Sequence, residues 1–147
     1  MEFVMRAEKR DKFLNDMLCE GESYKGKVWI TIMASTAKLL KYAAIYGGAG
    51  GALSNTYGYM GLTDGALNFV TVGNVNVDSV KDRFCIPLNS ITEIKIRRGY
   101  FGGRLLYLYF ENESMKISIM NNALFSNIKD QRENADRLLA ALQTRFQ

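Results

Sequence analysis

The chain of 147 residues has no histidine, only two cysteines and one proline. Without an imidazole there is no histidine general base and no Cys/His zinc site, and Cys19 and Cys85 are too few for a disulfide scaffold. Paired carboxylates on one element are also missing, so lysine chemistry is the enzymatic alternative left open. We therefore expect no catalytic activity, no cofactor and no metal.

Long hydrophobic runs are missing as well. Lys38 and Lys41 interrupt the most apolar stretch, residues 28–53, which therefore lacks the roughly 20 consecutive apolar residues of a membrane-spanning helix. Residues 1–13 carry charges where a signal peptide needs apolar side chains. We predict a cytoplasmic protein, with peripheral attachment at the inner face of the membrane as the alternative.

Charge is small in total but uneven along the chain. The net charge is +4, and residues 93–104 hold four cations, Lys95, Arg97, Arg98 and Arg104, against one acid, Glu93. Such a patch can attract an anion. A net charge of +4 is nevertheless small for a dedicated nucleic-acid binder, so a nucleic acid is not the expected partner.

Alternation of apolar and polar residues predicts strands over most of the chain. Seven are predicted, at residues 27–33, 57–62, 66–72, 83–88, 91–97, 104–110 and 115–120. Thr63-Asp64-Gly65 joins the second and third as a hairpin, in a turn whose glycine is able to adopt a positive φ. Residues 104–110 are apolar on both sides, which predicts a strand covered on each face.

Helices are predicted at the two ends of the sheet. Phe13, Leu14, Met17 and Leu18 share one face of a short helix at about residues 8–19. A longer amphipathic helix is predicted at about residues 127–146, where Asp130 and Glu133 have the spacing of a capping box. Together these elements predict one domain, residues 1–147, mainly β, with a sheet at about 24–120 capped by a C-terminal helix. Residues 35–55 form a long, glycine-rich connection within it.

Three segments carry a resemblance to a known family. YGYMGLTDGALNFV (57–70), FCIPLNSITEIKI (84–96) and LYLYFENESMKISI (106–119), followed by the closing helix, resemble bacterial pleckstrin-homology-like (PH-like) domains and their GRAM-type relatives. The resemblance implies a bent antiparallel sheet, a partly open barrel of about seven strands closed by the last helix. It also implies a non-catalytic module, because relatives bind phosphoinositide headgroups or peptides, or assemble into rings. The phosphoinositide binders carry a basic motif after the first strand, where this chain has Lys38, Lys41 and then a glycine-rich stretch.

Two surfaces are predicted to make contacts. One is the hairpin formed if residues 94–98 pair with 104–110, with anion- or lipid-contact candidates Lys95, Arg97, Arg98, Tyr100, Phe101 and Arg104. The other lies in the 35–55 connection, with self-association or membrane-interface candidates Leu39, Leu40, Tyr42, Ile45, Tyr46 and Leu53. Four tyrosines at strand spacing, Tyr57, Tyr59, Tyr107 and Tyr109, are expected to line the core or pack across strands rather than to stack on bases.

These observations predict a protein-binding or self-assembling PH-like adaptor that forms a homo-oligomer. Peripheral binding to anionic lipid headgroups through the basic–aromatic hairpin is the alternative. A simpler interpretation of the hairpin also stays open, because basic residues on an edge strand can serve only to keep that edge soluble.

Overall fold

A computed structural model of the protein describes residues 7–35, 44–45, 54–72, 80–99, 102–121 and 130–146. Two helices, α1 (Ala7–Asn15) and α2 (Gln131–Arg145), enclose the strands along the chain. The strands are β1 (Gly26–Ser35), β2 (Ala44–Ile45), β3 (Ser54–Leu62), β4 (Ala66–Val72), β5 (Val80–Pro87), β6 (Glu93–Arg98), β7 (Arg104–Tyr109) and β8 (Ser114–Ile119). A turn of 3-10 helix, Leu88–Ser90, separates β5 from β6.

All of these strands belong to one antiparallel sheet, in the order β2-β5-β4-β3-β1-β8-β7-β6. Seven are long, and β2 is a two-residue strand paired with β5. The predicted architecture of about seven strands and a C-terminal helix is confirmed. The predicted starts of β3 and β5 are too late, because β3 continues its pairing with β1 back to Ser54 and β5 pairs with β4 from Val80. β2 also interrupts the 35–55 connection, in which the sequence predicts no strand.

The main core lies on the inner face of the sheet. Val28, Ile30 and Ile32 of β1 point into it, as predicted, and four residues of α2 cover it: Ala135, Leu138, Leu139 and Leu142. Strands far apart in the sheet, such as β5 with Phe84 and β7 with Leu106, contribute to this single cluster. The sheet must therefore curve around α2. Within the described ranges no ladder joins β6 to the opposite end of the sheet, so the barrel is partly open.

The start of α2 is attached to β1 by a buried side-chain amide. β8 pairs with β1 as far as Thr31, opposite Ser118, and the next residue of β1 on that side is Trp29. The Gln131 side chain accepts the Trp29 N–H (3.1 Å) and donates to the carbonyls of Trp29 (2.9 Å) and Met120 (3.1 Å). Because an amide carries both a donor and an acceptor, Gln131 replaces the missing rung of the ladder.

A second, smaller core lies on the outer face beneath α1. Leu14 and Met17 are buried there against residues of β1, β3 and β4, namely Trp29, Tyr59, Val70 and Val72. The Tyr24 hydroxyl donates to the Leu14 carbonyl and accepts from the Asn68 amide (3.0 Å). The outer face of the β3–β5 half of the sheet is therefore covered, as the apolar face of the predicted helix requires.

Two local predictions are wrong, and the β3–β4 turn forms without the left-handed glycine that its sequence allows. The helix α1 ends at Asn15 and not near residue 19, because the Asp16 amide is the last to bond four residues back, to Lys12, and the amides at positions 17 and 18 bond only three residues back. Gly65 is not left-handed, since the Thr63 hydroxyl forms the turn by accepting the amides of Gly65 (3.2 Å) and Ala66 (3.0 Å). Asp130 makes no side-chain cap bond, because its backbone is left-handed (φ 58°) where a capping residue is normally extended.

Replacing Gln131 with Ala should lower the free energy of unfolding by about 2–4 kcal/mol, because the Trp29 amide and carbonyl would remain buried without their partner. Urea denaturation followed by circular dichroism measures the change. Gln143→Ala, an exposed site on the same helix, is the matched control and should change stability by less than about 0.5 kcal/mol. Equal stability of the two variants would contradict the role given to Gln131.

Candidate functional site

The predicted basic hairpin is formed by β6 and β7. Arg98 lies opposite Arg104, and the Gly99 amide donates to the Gly103 carbonyl (2.8 Å). Gly102 is left-handed (φ 81°), and its carbonyl accepts from the Asn121 side chain (2.9 Å). The pairing predicted for residues 94–98 and 104–110 is therefore confirmed. Tyr100 and Phe101, the aromatic contact candidates, lie outside the described residues.

The four cations of this hairpin divide between the two faces of the sheet. Strand alternation places Lys95 and Arg97 on the outer face, and Arg98 and Arg104 on the side of the main core. Arg104 also forms an ion pair with Asp136 of α2 (2.6 Å), which neutralises much of its charge. The structure thus brings the cations together only in pairs, and no single surface presents all four.

On the outer face, Lys95 and Arg97 lie beside residues of β7 and β8. The register puts Lys95, Tyr107 and Lys116 in one row across β6, β7 and β8. The Lys95 ammonium lies 5.7 Å from the centre of the Tyr109 ring, and the Lys116 ammonium 5.8 Å from that of Tyr107. We call this set, Lys95, Arg97, Tyr107, Tyr109 and Lys116, the outer basic surface.

The outer basic surface corrects the prediction that β7 is covered on both faces. Leu106 and Leu108 are buried in the main core, whereas Tyr107 and Tyr109 on the other side are only half-buried. Lysine side chains cover part of these rings. Of the four tyrosines expected to line the core or pack across strands, only Tyr59 lines a core. Tyr57 stacks across strands on Trp29, with 5.9 Å between ring centres. Lys116 was missed, because only the cross-strand register brings it beside Tyr107.

One long edge of the sheet is also open in the described part of the molecule. Along an antiparallel ladder, pairs of residues that are hydrogen-bonded to each other alternate with pairs that are not. Because the Gly99 amide bonds to the Gly103 carbonyl, this pair is a hydrogen-bonded one, and so is every second pair from it along β6 and β7. Lys95 and Arg97 therefore bond to β7, while the backbone groups of Ile94, Ile96 and Arg98 point away from it. We call these outward-pointing N–H and C=O groups the β6 free edge.

The second predicted surface falls almost entirely outside the described residues. This holds for Leu39, Leu40, Tyr42, Tyr46 and Leu53. The backbone of Ile45 pairs with Phe84, which places this part of the connection beside β5, at the end of the sheet opposite to β6. The two predicted contact surfaces thus involve opposite ends of the strand order.

A cleft of about 190 Å³ lies where the C-terminal end of α2 meets the β3–β4 turn. Its charged groups are already engaged with neighbours. Lys25 pairs with Asp64 (2.9 Å), and the Arg145 guanidinium donates to Asn89 (2.9 Å). This cleft is therefore a poorer candidate for an anion than the outer basic surface.

The two thiols lack the activation of a catalytic nucleophile. The hydrogen-bonded Glu22 carboxylate raises the pKa of the Cys19 thiol, and desolvation raises the pKa of the half-buried Cys85 thiol. A raised pKa leaves less thiolate at neutral pH. Among the described residues, no cluster of three or more acidic or cysteine side chains could hold a metal ion. In the same residues, no helix is long and apolar enough to cross a bilayer.

Comparison with known proteins identifies a fold but no family. No protein-family model and no curated protein matches the chain. The hSac2 domain of the human phosphoinositide phosphatase Sac2 has a TM-score of 0.50 at 14% identity, over 91% of this chain and 76% of that one. The N-terminal PH domain of Vps36 has a TM-score of 0.42 at 16% identity, over 86% of each chain. At such identities the likeness concerns the fold alone. The architecture that the resemblance implies is present, and the fold is PH-like; the bacterial or GRAM-type assignment stays a prediction.

The ion pair between Arg104 and Asp136 should contribute modestly to stability. Arg104→Gln should lower the free energy of unfolding by up to about 1 kcal/mol, because both side chains are partly exposed, and the loss should shrink at high salt. Arg97→Gln is the control, since Arg97 forms no ion pair with any described residue. If Arg104→Gln lowers the free energy of unfolding by the same amount in a chain that already carries Asp136→Asn, the two side chains do not stabilise each other and the prediction is wrong.

Proposed function

We propose that this chain is a non-catalytic module that binds an extended segment of a partner protein as an added strand along the β6 free edge. The observation that carries the proposal is the long terminal strand whose outer backbone groups at Ile94, Ile96 and Arg98 are directed away from the sheet. Unpaired edge groups are a template for another strand, and strand addition is a recurring way to bind peptides.

The two faces beside this edge suit an added strand. Ile94 and Ile96 are half-buried against the main core, so apolar side chains of an incoming segment would extend that core. Lys95 and Arg97 are exposed on the outer side and would face polar side chains. The edge therefore offers both backbone bonds and alternating side-chain contacts, which give affinity and selectivity respectively.

The proposal is tested with a display library of random peptides selected on the immobilised chain. Hydrogen exchange should then show slower exchange of the Ile94, Ile96 and Arg98 amides in the presence of a selected peptide. Arg98→Pro removes one outward N–H while sparing the bonds to β7, and it should weaken binding at least about fivefold. Arg98→Gln removes the charge but keeps the N–H, and it is the matched control.

Protection of amides elsewhere in the sheet, with the β6 amides unchanged, would contradict this mode of binding. Equal affinity of the Arg98→Pro and Arg98→Gln variants, both checked for folding by circular dichroism, would contradict it as well. Self-association through residues 39–53 and a cytoplasmic location are part of the same proposal but rest on the sequence alone.

Peripheral attachment to an anionic membrane is the second candidate function. The outer basic surface favours it, because three cations share one face of the sheet with two half-buried tyrosines, and no described element packs over them as α1 packs over the β3–β5 half. A cation near an anionic membrane contributes about 1 kcal/mol. Membrane contact would then use Lys116 in addition to the predicted Lys95 and Arg97, while Arg104 is held by Asp136.

Sedimentation with phosphatidylcholine vesicles, with and without phosphatidylglycerol, tests this candidate. The triple variant Lys95→Gln, Arg97→Gln, Lys116→Gln should bind the anionic vesicles roughly a hundredfold more weakly. Arg98→Pro leaves the outer basic surface intact and should sediment like the original chain. Unchanged sedimentation of the triple variant would exclude this surface as the membrane contact.

A further inference from the structure

We infer that the β6 free edge selects a segment in which acidic and apolar residues alternate, with a basic residue at the end that lies beside Glu93. The inference rests on the proposed function and adds the chemistry of the partner. It follows from the side chains of β6, which differ between the two faces of the strand.

The outer row of β6 has a defined order of charges. Glu93, Lys95 and Arg97 follow one another at every second position, and all three are exposed. In a strand added beside β6, neighbouring side chains on this face would lie about 4.5–5.5 Å away, where opposite charges stabilise the pair and like charges destabilise it. The matching outer row is therefore basic beside Glu93 and acidic beside Lys95 and Arg97.

The inner row requires apolar partners beside Ile94 and Ile96, the two positions that precede the exposed Arg98. Ile94 and Ile96 pack against the main core and keep part of their surface exposed. Because side chains alternate between faces at every residue, an added strand that places acids on the outer side must place its intervening residues here. A polar residue at those positions would lose its hydration against apolar neighbours. The two rows together specify alternation with a period of two.

The same charges disfavour a second copy of this chain at the edge. Antiparallel pairing of β6 with a second β6 about Ile96 would bring Lys95 of each copy opposite Arg97 of the other. Because β6 holds a single acid, Glu93, no other register places an acid beside both of these cations. Like charges directly opposite each other are destabilising. The occupant is thus a different, acidic segment, and a lipid headgroup layer, which has no alternation, is distinguished from it by the test below.

Three synthetic peptides of about ten residues, the upper length of ordinary strands, are compared by fluorescence anisotropy. One alternates Glu with Val and ends with Lys, the second contains the same residues in scrambled order, and the third alternates Lys with Val and ends with Glu. The alternating acidic peptide should bind at least about tenfold more tightly than either of the others, and its advantage should fall with salt.

Charge reversal on the outer row should exchange this preference. The double variant Lys95→Glu, Arg97→Glu should lose at least about tenfold in affinity for the acidic peptide and should bind the basic peptide more tightly than the original chain does. The double variant Arg132→Glu, Arg137→Glu is the control. It changes the net charge equally, at exposed sites on α2, and should leave both affinities unchanged.

Equal binding of the alternating and scrambled acidic peptides would overturn the inference, because it would indicate a general attraction of anions. The inference would also be overturned if the α2 control variant lost as much affinity for the acidic peptide as the β6 variant does. Displacement of the acidic peptide by phosphatidylglycerol vesicles alone would overturn it in the same way. If library peptides protect the β6 amides without acidic alternation, this inference fails and the proposed function stands. If no peptide protects those amides, the proposed function fails too.

Discussion

The fold depends on one side-chain amide at the junction between the two halves of the sheet. β1 pairs with β3 on one side and with β8 on the other, but the ladder to β8 ends before Trp29. Gln131 completes it with three hydrogen bonds. Because Gln131 is also the first residue of α2, the bonds that complete the sheet fix where the helix begins. From that point α2 runs across β1 closely enough that a Cβ at Gly26 would lie 3.1 Å from that of Leu138.

The position of α2 determines which surfaces remain for binding. Since α2 occupies the inner face and α1 covers the outer face of the β3–β5 half, neither helix packs over the outer face of the β6–β8 half. The cations and half-buried tyrosines of the outer basic surface lie there, and the long β6 edge borders it. An uneven distribution of helices over one curved sheet therefore leaves the outer basic surface and the β6 free edge side by side at one end of the strand order.

The sequence was sufficient for the features that depend on local periodicity. Val28, Ile30 and Ile32 alternate along one strand, so their common face could be predicted, as could the hairpin beside Arg98. The rung formed by Gln131 could not, because a glutamine in a first helical turn has no special spacing and its role depends on a strand about a hundred residues earlier. The association of Lys116 with Tyr107 likewise requires the register of separate strands. Sequence spacing reveals faces, whereas contacts between distant segments come from topology.

The sequence left open whether the cations on β6 form a contact surface or only keep an edge strand soluble, and they can do both. Basic residues on an edge strand hinder pairing with an identical edge, which protects a soluble protein from aggregation. The same repulsion does not act on an acidic segment, for which these residues provide attraction instead. Arg104 takes no part in this discrimination, because it lies on β7, on the side of the main core, and pairs with Asp136. Solubility and selectivity can thus arise from the same side chains, and what distinguishes the outcomes is the charge of the approaching strand.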